Sequence, residues 1–171
     1  KKTCQGYEVN QWEGKTRAPL LPPKGFTSSV GQILWNPDGR SILTRDLSGS
    51  ISVWDASTGK SLFSFSEKGN RVDEVAWNAD GKKLFAYTHD KKLHAWSVAS
   101  WKELFTLPQI ESFSENPWSP DFTSAISIIT VKDKNTNQTT ATVDLYDLDS
   151  GKRVGAINLD KAVSNLDWIP N

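Results

Sequence analysis

Residues 30–65 read VGQILWNPDGRSILTRDLSGSISVWDASTGKSLFSF, and residues 72–107 read VDEVAWNADGKKLFAYTHDKKLHAWSVASWKELFTL. Laid over each other without a gap, they match Trp35 with Trp77, Asn36 with Asn78, Gly39 with Gly81 and Trp54 with Trp96, each pair 42 residues apart. Val30 meets Val72, Ile33 meets Val75, Ile51 meets Leu93, and Leu62-Phe63 meet Leu104-Phe105. Trp12 precedes Trp54 by the same interval, and Trp118 follows Trp77 by 41. Seven of the eight tryptophans obey this register, and only Trp101 lies outside it. A bulky side chain with an N–H to satisfy does not recur on such a schedule by accident of composition. A period of this length marks a solenoid or a propeller.

The pattern within one copy chooses between them. Val30 to Trp35 reads as a strand and Asn36-Pro37-Asp38-Gly39 as its turn. Ser41 to Thr44, Ser50 to Trp54 and Ser61 to Phe65 are further strands, separated by turns at Ser48-Gly49 and Ser57-Thr58-Gly59-Lys60. β-Branched and aromatic residues fill the runs, and Ile51-Ser52-Val53 alternates as a half-buried strand does. No stretch keeps a 3.6-residue period for three turns, which argues against paired helices. Four antiparallel strands per copy make a propeller blade.

A third copy carries Trp118-Ser119-Pro120-Asp121 and, after a nine-residue insertion, Leu145-Tyr146-Asp147 with Ser150-Gly151-Lys152. Tyr146 takes the place of the second tryptophan. The polar insertion, Lys132–Thr140, reads as an extended hairpin tip. A fourth copy begins at Val163 and reaches Trp168. The expected fold is therefore all-β, a β-propeller arc of four-stranded antiparallel blades forming a single partial propeller over residues 1–171. It comprises a partial blade at 7–22, blades at 30–65, 72–107 and 113–159, and the first strand of a next blade at 163–171. The two ends together supply a first, third and fourth strand but no second, so self-closure into four blades is not expected. Missing blades are expected from sequence outside this chain or from a second copy, since an open arc bares blade faces and strand edges and should aggregate.

Ile51-Ser52-Val53-Trp54-Asp55 followed by Thr58-Gly59-Lys60 resembles the third-strand signature and turn of the WD-repeat family. Leu34-Trp35-Asn36-Pro37-Asp38-Gly39 and Val75-Ala76-Trp77-Asn78-Ala79-Asp80-Gly81 resemble its first strand and first turn. The resemblance covers roughly residues 8 to 171. The Gly-His pair before the first strand is replaced by Lys24-Gly25 and Gly69-Asn70, and the turn aspartate survives as Asp90 but is Ser48 one copy earlier. The family's buried His–Ser/Thr–Asp–Trp network is accordingly expected to be incomplete, with apolar packing carrying more of the stability.

Twenty basic and twenty acidic residues cancel, so nothing in the overall charge pulls the chain toward nucleic acid or anionic membrane. No apolar run is long enough to span a bilayer, and the start shows no signal-peptide pattern, which leans toward a cytoplasmic location. The single cysteine, Cys4, excludes an intrachain disulfide and a cysteine-based metal site. No nucleophile–base constellation, metal spacing or phosphate-cradling loop stands out, so neither catalysis nor a cofactor or metal is expected. Thr88-His89-Asp90 imitates part of a triad, but neighbours on a strand point to opposite sides. His94 takes the slot of Ser52 and reads as packing. Asp38, Asp80 and Asp121 recur in the first turn, where side-chain-to-backbone bonding explains an aspartate.

Binding is the better expectation. Connections between consecutive blades share one face with the turns joining second and third strands, and in the WD-repeat family that face often takes partners. Here it would include Lys24, Phe26, Lys68, Asn70, Arg71, His89 and Lys91, a basic set suited to an acidic or phosphate-bearing partner, although a solvated basic loop set explains it as well. Trp101 replaces the glycine of the turn between third and fourth strands, either as an exposed anchor on the opposite face or folded over its own blade. The function expected is a protein–protein interaction scaffold or assembly subunit. The competing readings are an accessory sensor or gating propeller of a larger enzyme, such as a peptidase or kinase, or a periplasmic Tol-type propeller.

Overall fold

The computed structural model describes residues 11–12, 19–21, 29–107, 118–132, 139–159 and 161. The expected strand positions at 7–10, 113–117 and 163–171, the insertion tip at 133–138, and Lys24 and Phe26 lie outside the described residues. Among the described residues all regular structure is β, and no helix is long and apolar enough to cross a membrane. The chain divides into two compact units, residues 1–73 and residues 74–171.

In the first unit β1 (Gln11–Trp12) pairs with β2 (Pro19–Leu21). The first four-stranded sheet follows, with β3 (Val30–Trp35), β4 (Ser41–Asp46), β5 (Ile51–Asp55) and β6 (Ser61–Phe65) in sequential antiparallel order. Its register sets two kinds of cross-strand row, because directly opposed residues share a face. Leu34, Leu43, Val53 and Phe63 form one row, in which Leu43 and Val53 are fully buried. On the other face Ile33, Thr44, Ser52 and Ser64 form one row and Trp35, Ile42, Trp54 and Ser61 the next.

The second sheet has the same order in β7 (Val72–Trp77), β8 (Lys83–Thr88), β9 (Leu93–Ser97) and β10 (Glu103–Leu107). The third contains β11 (Ser124–Lys132), β12 (Thr139–Asp147) and β13 (Lys152–Leu159), with Trp118 joined to Ala125 by a single bridge. The insertion lengthens β11 and β12 to nine residues each, paired up to Lys132 with Thr139. These two sheets share a core: Phe85, Tyr87, Leu93, Ala95 and Leu107 of one meet Trp118, Ala125 and Leu148 of the other. Lys83 crosses the same seam, its Nζ donating to the Leu148 carbonyl at 3.2 Å and pairing with Asp149 Oδ1 at 2.5 Å.

Turns recur as the sequence does. Gly39, Gly49 and Gly59 of the first copy have φ of 69°, 83° and 67°, and the matching positions in later copies include Phe122 (57°), Lys91 (67°) and Trp101 (54°). The hairpin geometry demands a left-handed residue at each slot, and where glycine is absent the side chain takes that conformation at a cost of roughly 1–2 kcal/mol. The recurring first-turn aspartates are structural: Asp38, Asp80 and Asp121 each accept a backbone N–H from the residue two places on, at 2.8, 2.9 and 3.1 Å.

The aspartate after the third-strand tryptophan is also a turn device. Asp55 Oδ1 accepts the hydroxyls of Ser57 (2.7 Å) and Thr58 (2.8 Å) and the Thr58 N–H (2.7 Å). These donors, the Ser57 hydroxyl foremost, favour the ionised carboxylate and lower its pKa from 3.8 to about 2. Asp147 is lowered for the same reason, first by the Ser150 hydroxyl. A carboxylate whose folded-state pKa is depressed contributes stability above its unfolded value and loses it as pH falls toward the folded one. Between pH values of about 4 and about 2 the urea midpoint of Asp55→Asn should therefore fall less steeply than that of the parent; equal slopes would refute this role.

Candidate functional site

In the first unit the turn between β4 and β5 and the segment leading to β7 lie against each other. The Val72 N–H donates to the Gly49 carbonyl at 3.0 Å, and Ser50 Oγ bonds Ser66 Oγ at 3.2 Å. A Cβ placed on Gly49 would fall 2.3 Å from the Arg71 Cβ and 2.8 Å from the Val72 nitrogen, so the approach of the two segments requires glycine here. Asp46 shapes the turn by accepting from Ser48 Oγ (2.6 Å) and the Ser50 N–H (2.9 Å).

Lys68, Asn70 and Arg71 are displayed beside this turn. Lys68 is exposed at the tip of a two-residue turn closed by the Glu67–Asn70 bridge. Asn70 Nδ2 donates to Glu67 Oε2 at 2.5 Å. Arg71 Nε pairs with Asp73 Oδ1 at 2.6 Å on an exposed surface, so Asn70 and Arg71 each carry an acidic neighbour. The patch is mixed in charge, with Lys68 and Arg71 outermost.

The equivalent turn of the second unit holds His89 and Lys91, both exposed. Lys91 Nζ lies 5.8 Å from the Tyr87 ring centroid, and Lys92 pairs with Asp90 at 2.5 Å. Asp90 also accepts the Thr88 hydroxyl at 2.6 Å. Thr88 is fully buried at the end of its strand while His89 is exposed in the turn. In the first sheet Thr44 Oγ1, at the position matching Ala86, accepts the Trp54 indole N–H at 2.9 Å. The His89–Lys91 turn and the Lys68–Arg71 segment belong to separate units.

Trp101 sits at the other end of its sheet, half-buried, with its ring edge-on to Trp77 at a centroid distance of 6.4 Å and 63° between planes. His94 is buried, stacked on Trp96 at 5.5 Å, with Nδ1 3.0 Å from both Glu103 Oε1 and Thr106 Oγ1. Both contacts converge on one ring nitrogen. Among the described residues no group of three His, Cys, Asp or Glu side chains could hold a metal ion.

Sequence reasoning missed Arg45. Its guanidinium donates to the carbonyls of Val72 (3.1 Å) and Asp73 (2.6 Å) and to Gln32 Oε1 (2.9 Å), holding the segment behind Arg71. Strand alternation told which side of β4 it occupies; nothing in the sequence told what lay across from it. The Glu67–Asn70 and Arg71–Asp73 pairs were within reach, being only three and two residues apart.

No family model matches the chain, and no curated protein matches it in sequence. Solved structures do match, and they are of the WD40-repeat fold. The WD40 repeats of RRP9 share 19% identity with a TM-score of 0.50, over 79% of this chain and 40% of theirs. The structure of U3-55K shares 19% identity with a TM-score of 0.51, over 79% of this chain and 41% of its own. The chain thus spans about two fifths of the length of either neighbour. Low identity and shared geometry together show the fold: all-β, with four-stranded antiparallel sheets of the WD40 blade type.

Proposed function

We propose that this chain is a divergent member of the WD-repeat family and serves as a protein-interaction scaffold or as a subunit of a larger assembly. The observation that carries the reading is the close seating of the Gly49 turn against the Arg71 segment, which holds Lys68 and Arg71 in fixed positions on an exposed surface. A rigid display loses little ordering entropy when a partner binds. The partner chemistry is acidic or phosphate-bearing protein, recognised by Lys68 and Arg71 in the first unit and by Lys91 in the second. Propellers host unrelated tasks, so function is argued from these positions and not from the fold.

The test is affinity capture with the parent, Arg71→Glu, Lys91→Glu and the double variant, all shown to be folded by circular dichroism. The double variant should lose its specific partners by roughly tenfold or more, with binding that weakens as salt rises. Capture that is indifferent to the double charge reversal would refute the assignment.

A further inference from the structure

The insertion after β11 changes the outer edge of the third sheet. β6 and β10 end their sheets with five residues each, whereas β13 runs for eight, because the β12 it pairs with is lengthened to nine. All three outer strands shift register near their start, leaving Leu62, Leu104 and Val154 without an opposed residue. A bulge at that point blunts an edge against further pairing. Beyond it β6 and β10 keep three opposed pairs each, while β13 keeps five, Gly155 to Leu159 against Leu145 to Ala141.

Among the described strands β13 has a neighbour on one side only. Alternate residues of its regular run direct an N–H and a C=O away from β12, a ladder that another strand completes. Val154, Ala156, Ile157 and Asn158 are all exposed, Val154 at 61% and Ile157 at 62%. No charge occurs from Val154 to Leu159, so this stretch lacks the lysine that commonly keeps an edge unpaired. The charges of β13 stand at its start, where Lys152 and Arg153 are exposed. Arg153 pairs with Asp144 at 2.6 Å, which leaves Lys152 as the foremost cation of the edge.

We propose that β13 is a docking edge for an extended segment of a partner protein, which adds antiparallel as a further strand of the third sheet. The chemistry of the edge selects this occupant. A row of backbone donors and acceptors is matched by an extended chain, and the antiparallel sense continues the order of β11, β12 and β13. β-Branched side chains suit the positions beside Ile157 and Asn158. Antiparallel addition brings the C-terminal end of the segment beside Lys152, so acidic residues there are favoured. β13 itself holds no acidic residue, so a second copy of it fits the edge less well than an acidic-ended segment. The proposal does not depend on the roles assigned to Lys68, Arg71 and Lys91.

The probe is the labelled peptide Thr-Val-Thr-Val-Thr-Glu-Glu, titrated with the full chain by fluorescence anisotropy, with amide hydrogen exchange locating the contact. The expected result is saturable binding that protects amides between Val154 and Leu159. N-methylation at alternate residues of the peptide should weaken binding at least about tenfold, because it removes ladder hydrogen bonds and leaves the side chains in place. Moving the two glutamates to the N-terminus should weaken it about threefold, and Lys152→Glu should abolish that preference. Ile157→Lys should weaken binding at least about tenfold by placing a charge in the edge. Both residues are exposed, so both variants keep their fold, as unchanged urea midpoints would show. The Arg71→Glu, Lys91→Glu double variant should bind the probe as the parent does, so this proposal and that assignment fail separately. No binding up to about 1 mM, protection elsewhere in the chain, indifference to N-methylation, tighter binding of the reversed peptide, or pairing of this edge with a second copy in place of the peptide would each overturn the proposal.

Discussion

Alanine at position 49 is expected to destabilise the protein by roughly 2–5 kcal/mol, combining the left-handed penalty with overpacking against the backbone. Gly49 has φ of +83°, and an added Cβ would lie 2.3 Å from the Arg71 Cβ and 2.8 Å from the Arg71 Cα and the Val72 nitrogen. Those are chain atoms, not the end of a flexible side chain, so relief means parting the turn from the segment and stretching the 3.0 Å bond from Val72 to Gly49. Domain stabilities are only about 5–15 kcal/mol, so the loss is a large share of the whole. Gly39→Ala is the control, because Gly39 has φ of +69° but nothing within 4 Å of its would-be Cβ. It should cost only the conformational term of about 1–2 kcal/mol. Lys91, at φ 67° in the slot equivalent to Gly49, shows that the conformation alone is tolerated. Equal urea midpoints for the two alanine variants would show that the close approach carries no weight.

Trp118→Ala is expected to cost about 3–5 kcal/mol, while Trp35→Ala, at the same position of the repeat, should stay within about 1 kcal/mol in dilute solution. Trp118 is 6% exposed, shares a core with Phe85, Tyr87 and Leu93, and lies 6.2 Å from the Phe122 ring. Its removal leaves a cavity between two sheets that Lys83 and Asp149 hold together, so the walls relax little. Trp35 is 52% exposed and leaves no enclosed void. Urea denaturation followed by far-ultraviolet circular dichroism compares the two without relying on the fluorophore removed. Similar losses at both positions would mean that the repeat slot, not its surroundings, sets the energy.

The candidate surface was partly legible beforehand. That the turn before β5 and the segment before β7 occupy one end of the first sheet follows from four antiparallel strands per copy, and the bond from Val72 to Gly49 places them together. Lys68, Asn70 and Arg71 lie in the segment before β7. The Asn70–Glu67 and Arg71–Asp73 pairs are short-range in the sequence, three and two residues apart. Arg45 was beyond reach, since its partners are backbone carbonyls 27 and 28 residues away that carry no side-chain signature.

The 42-residue recurrence of tryptophan, the alternation of apolar residues and the turn chemistry at Asn36–Gly39 and Asp55–Gly59 were enough to specify β-sheet blades, because strand pairing and turns depend on nearby residues. Which equivalent residues are buried was decided only in three dimensions. Trp35, Trp77 and Trp118 are one letter at one slot, yet one stands half in water, one meets the edge of Trp101 and one closes a core. Burial depends on what lies across a face, and a periodic sequence describes each face but not its neighbour.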